Sequence, residues 1–94
     1  MMTLKSSKRV PLGQVVITQG ALHDLPAEEV QESLLRHAEG DWGDLCEEDR
    51  AQNDEALEHE ARLMSRYRTK NGIPFWIITE WDRSVTTILL PEEY

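Results

Sequence analysis

The chain has 94 residues, 39% of them hydrophobic and 30% charged, and its 18 acidic against 10 basic side chains give a net charge of −8. That length suits one compact core and leaves no room for a second. No apolar run approaches the roughly 20 residues of a membrane-spanning helix, and the lone cysteine, Cys46, excludes an internal disulfide, so a reducing, cytoplasmic setting is expected.

Lys5, Lys8 and Arg9 are followed by no apolar block or small-residue cleavage site, so residues 1–11 read as a disordered tail before a single domain over residues 12–94. Gly13 to Thr18 is short and β-branched and follows Pro11, which marks a first strand ending before Gly20. Pro26 suits a first helical turn, Glu28 and Glu29 complement the helix dipole, and Val30, Leu34, Leu35 and Ala38 recur at helical spacing up to Gly40. In the loop that follows, Trp42 sits between Gly40 and Gly43 and is expected to fold back onto the core. Asp44 with Glu47 three residues on predicts a cap for a second helix running to about Glu58, whose apolar face is thin.

From Ala61 the period changes to two. Asn71-Gly72 is a hairpin signal, Ile73 to Glu80 reads as a covered strand, Asp82-Arg83-Ser84 as a second turn, and Val85 to Leu90 as a returning strand. The expected class is therefore α+β in the order β-α-α-β-β-β, an antiparallel sheet with two helices on one face. A two-residue turn at Asn71-Gly72 sets Tyr67 opposite Trp76 and Arg66 opposite Ile77. Tyr67, Trp76, Ile78, Val85 and Leu89 then face the helices. Met64, Arg66, Arg68, Phe75, Ile77, Ile88 and Leu90 form a second, uncovered face, apolar with arginine at its rim, which is the composition of a contact surface for a protein partner or a second copy in a homodimer.

The charge is uneven. Asp24 to Glu60 holds 14 acidic and 2 basic residues, while Arg62, Arg66, Arg68, Lys70 and Arg83 follow it. Asp41, Asp44, Glu47, Glu48, Asp49, Asp54, Glu55 and Glu58 mark an acidic surface that repels nucleic-acid phosphates, so nucleic acid is a poor partner. His23, His37 and His59 share no paired spacing and read as surface residues, and no metal or cofactor is expected. Beside Glu47 and Glu48, Cys46 lacks the field that would activate a thiol. Glu80, Asp82 and Arg83 are expected to shape their turn, with Arg83 as an anion contact in the functional alternative. Arg66, Arg68, Phe75, Ile77 and Arg83 are the candidate binding residues, and no catalytic set stands out.

Gly40-Asp41-Trp42-Gly43-Asp44-Leu45, Trp76-Ile77-Ile78-Thr79-Glu80 and the closing run from Asp82 to Tyr94 resemble a widespread family of small uncharacterised bacterial proteins often labelled plasmid-related, over about Leu12 to Tyr94. The resemblance implies a setting in mobile or accessory DNA and carries over no catalytic residue. A weaker resemblance, in element order, is to RelE/ParE-type toxins. It implies a ribonuclease, or a decayed descendant, with Arg66, Arg68, Arg83 and Tyr67 at the phosphate, against which the net charge argues. The expected function is a non-enzymatic interaction or regulatory module, acting through the arginine-rimmed face or through an acidic ridge that mimics nucleic acid.

Overall fold

A computed structural model describes residues 10–94. The expected tail lies outside the described residues except at its end, where Val10 is buried and donates its N–H to Ala38 O. The elements are β1 (Gln14–Ile17), α1 (Gln19–Asp24), α2 (Ala27–Ala38), α3 (Glu47–His59), β2 (Leu63–Arg68), β3 (Pro74–Thr79), β4 (Val85–Leu89) and a closing 3-10 turn (Pro91–Glu93). The class is α+β, and the strands lie in the order β1-β4-β3-β2. The sheet is mixed rather than purely antiparallel. β2, β3 and β4 form an antiparallel meander, while β1 pairs with β4 in parallel. The helices carry the chain from one edge back over one face to the other edge, so β1 and β2 run the same way, and two hairpins later so does β4.

Helix α1 follows β1 at once and takes in Gly20, at which the sequence marked only the end of the strand. Thr18 caps it, its Oγ1 accepting from Ala21 N at 3.2 Å. Helix α2 turns Val30, Ser33 and His37 inward. It ends where Gly40 takes φ 85° and Asp41 N returns to Arg36 O, a left-handed stop that suits glycine. Helix α3 starts later than expected, since Cys46 rather than Asp44 holds the N-cap position.

The register departs from the expected one by a single residue. Arg66 lies opposite Trp76 and Tyr67 opposite Phe75. The loop closes as Thr69 N donates to Ile73 O and Gly72 N to Thr69 O, with Gly72 at φ 88° and Asn71 outside the left-handed region. A two-residue type I′ turn needs positive φ at both central positions; one left-handed glycine makes the three-residue, bulged loop instead. The slip reverses the faces of β3 and β4 relative to β2. The helices therefore cover Leu63, Ser65 and Tyr67, with Phe75, Ile77, Thr79, Thr86, Ile88 and Leu90, all buried. One apolar cluster joins Ala21, Leu25 and Val30 to Tyr67, Phe75, Ile77, Ile88 and Leu90, and a second joins Val10, Trp42, Leu45 and Ala56 to Leu63.

Candidate functional site

The sheet face away from the helices carries Met64, Arg66 and Arg68 from β2, Trp76 and Ile78 from β3, and Thr87 and Leu89 from β4. Cross-strand pairing sets the Arg66 guanidinium 5.4 Å from the centre of the Trp76 ring. Pro91 stops β4, and the turn after it folds back because the Glu93 carboxylate accepts from Leu90 N, Gly20 N and Thr18 Oγ1. These bonds, led by that of Thr18, hold the Glu93 carboxyl below its ordinary range. Tyr94 is thereby laid on the sheet, its ring meeting Trp76 edge-on at 5.3 Å. The Arg62 guanidinium lies 5.3 Å from the centre of the Tyr94 ring and reaches Glu80 at 3.8 Å. The result is a pair of rings in edge-on contact flanked by a cation at each end, Arg66-Trp76-Tyr94-Arg62, in which both arginines and Tyr94 are exposed. Arginine, tryptophan, tyrosine and methionine are the residues enriched in protein contact surfaces, and this set can receive carboxylates and flat groups.

The sequence-predicted residues divide. Arg66 and Arg68 are on this face and exposed. Phe75 and Ile77 are 0% exposed beneath the helices, so they line no surface; the register slip puts Trp76 and Ile78 on the other face instead, where Trp76 is half-buried and Ile78 is buried. Arg83 is a clamp. At φ 61°, its guanidinium donates to Ala61 O and Glu80 O from Nη1 and to Ala56 O from Nη2, tying the end of α3 to the β3–β4 turn. Among the acidic residues, Asp41 holds Arg36 through two bonds of 2.8 and 3.2 Å, and Asp54 accepts from Trp42 Nε1 at 3.0 Å. Glu47, Glu48, Glu55 and Glu58 are exposed along α3, Asp44 is exposed in the loop before it, and Asp49 is half-buried.

His37 was expected at the surface and is instead fully buried. Its Nδ1 lies 2.6 Å from Ser65 Oγ and its Nε2 2.9 Å from Thr79 Oγ1; Thr79 Oγ1 lies 2.7 Å from Thr86 Oγ1, which donates to Leu12 O at 2.7 Å. Proton counting then fixes the direction. Thr86 has spent its proton on Leu12, so Thr79 donates to Thr86, His37 donates from Nε2 to Thr79, and Ser65 donates to Nδ1. The ring is neutral, and burial, with Arg83 nearby, lowers its pKa to about 4. Ser65, His37 and Thr79 are each 0% exposed, so this histidine–hydroxyl chain ties the core together and meets no substrate. The signal was present in the sequence, since position 37 falls on the inward face that α2's Val30 and Leu34 define.

Tyr67 is also withdrawn from solution chemistry. Its hydroxyl donates to Asp41 O, and burial pushes its pKa well above the ordinary tyrosine value. Among the described residues no group of three His, Cys, Asp or Glu side chains is placed to hold a metal ion, and no helix is long and apolar enough to cross a membrane. Comparison of the chain with family models, curated proteins and solved structures returns no match.

Proposed function

We propose that the protein is a non-enzymatic interaction module of the cytoplasm, encoded on mobile or accessory bacterial DNA, that binds an acidic segment of a protein partner through the sheet face bearing Arg66, Trp76, Tyr94 and Arg62. The observation that carries this reading is the aromatic–arginine line itself, with its contacts of 5.4, 5.3 and 5.3 Å. It combines charge for an acidic partner with ring surface for the centre of a contact. Mimicry of nucleic acid by the acidic surface has less support, because Asp41 and Asp54 are engaged within the fold. The toxin-like alternative keeps Arg66 and Arg68 but loses its other two members, since the Tyr67 hydroxyl is held by Asp41 O and the Arg83 guanidinium by three carbonyls.

The test is capture from bacterial lysate on immobilised wild-type, Trp76→Ala, Arg66→Glu and Glu55→Lys/Glu58→Lys proteins. A partner held by wild type and the α3 variant, released by salt and lost with Trp76→Ala and Arg66→Glu, supports the face. A partner indifferent to Trp76 and Arg66 but lost with the α3 variant would move the function to the acidic ridge.

A further inference from the structure

We propose that β1 is a self-association edge, pairing antiparallel with β1 of a second copy of this chain about a two-fold axis at Val16, so that two sheets become one. The two edges of the sheet differ in how their backbone groups are satisfied. On β2 the outward groups of Met64 and Arg66 are sealed: the Asn53 side chain takes the N–H and C=O of Met64 at 3.3 and 2.7 Å, and Trp42 O and Asp44 N take those of Arg66 at 3.2 and 2.8 Å, so that only Arg68 at the strand's end is left without such a cover among the described residues. On β1, Gln14 N donates to Ser84 O and Thr18 N to Ile88 O, which fixes the phase of the parallel ladder and turns the N–H and C=O of Val15 and Ile17 away from β4. Among the described residues no group meets them. Nor does Gln14–Ile17 carry the lysine, proline or bulge that commonly blunts an edge.

Beside this edge runs a groove of about 300 Å³, lined by β1, α1, α2 and Ile88 and by no charged residue. Val15, Val16 and Leu22 along it are 42%, 36% and 67% exposed. These features select the occupant. Two copies of a chain with net charge −8 repel each other wherever acidic surfaces meet, and this uncharged edge lets them approach without like charges facing. An incoming strand has to be short, uncharged and β-branched, and Gln14-Val15-Val16-Ile17 is itself such a strand. With Val16 on the axis, Val15 lies opposite Ile17 of the second copy. The two symmetry-related pairs then satisfy all the outward N–H and C=O groups of both residues.

The experiment is sedimentation equilibrium of the full chain over a wide concentration range. Wild type is expected at twice 10.9 kDa. Val15→Pro removes an N–H that the ladder to β4 does not use and is expected to weaken the dimer by at least about tenfold, with an unchanged circular dichroism spectrum. Val15→Lys places a charge on the same edge and is expected to do likewise should the proline variant fail to fold. Trp76→Ala is expected to leave the dimer intact, which separates this edge from the open sheet face. A wild-type monomer throughout the range overturns the proposal and leaves the edge to a foreign strand, and a dimer that survives Val15→Lys overturns it as well.

Discussion

The buried His37 makes a quantitative prediction about acid stability. Unfolded, the ring takes up a proton near 6.5; folded, it resists until about 4. Between those values the unfolded state binds a proton that the folded state refuses, so stability falls as pH falls. The contribution is fully present above about 6.5 and is lost progressively down to about 4, a total of about 3 kcal/mol. That is a large part of the roughly 5–15 kcal/mol that holds a small domain together. Asp41, Asp82 and Glu93 also have depressed values, but their contributions are lost only as pH falls through and below the ordinary carboxylate values of 3.8 and 4.5, so the upper part of the window belongs to His37. The assay is urea unfolding followed by tryptophan fluorescence from about pH 7.5 to about pH 4.5, on wild type and His37→Gln. The variant should be less stable at neutral pH by about 1–3 kcal/mol, because Ser65 loses its acceptor, and its stability should change little across the window. Equal pH dependence in the two proteins would refute the buried neutral ring.

Three further predictions concern the parts that seat the open face. Asn53→Leu strips both outward groups of Met64 of their partner and should cost about 1–3 kcal/mol in urea unfolding. Gly43→Ala should lower thermal stability by about 2 kcal/mol or more, since the residue holds φ 75° and a Cβ there would lie 1.9 Å from Arg66 O; Gly72→Ala, at φ 88° with open space around it, should cost only about 1–2 kcal/mol. Arg83→Ala should destabilise the fold by freeing the carbonyls of Ala56, Ala61 and Glu80 without weakening partner capture at matched folded fraction, whereas Arg66→Glu should do the reverse.

What could be read from the sequence depended on how local each signal was. The periodicity of α2, the inward Trp42 between two glycines and the period-two meander are local patterns, and the structure has them. The partition of the sheet turned on a single turn residue: Asn71-Gly72 suits a two-residue turn, yet Thr69 closes the loop one step earlier and its Oγ1 accepts from Ile73 N. That step put Phe75 and Ile77 beneath the helices and turned Trp76 and Ile78 to the opposite face of the sheet. Arg83 and Tyr94 depended on tertiary placement, because only the docked end of α3 supplies the carbonyls for the first and only the Glu93 anchor lays the second across the sheet.

The proposed binding face stands on that register, and one solution measurement reaches it without a partner. Because Met64 and Arg66 direct their backbone groups outward, Arg66 and Trp76 form a non-hydrogen-bonded cross-strand pair whose α-carbons approach to about 4.5 Å. A strong nuclear Overhauser contact between the α-protons of Arg66 and Trp76 is the expected result. The same contact from Arg66 to Ile77 would return Trp76 to the helix side and contradict the account.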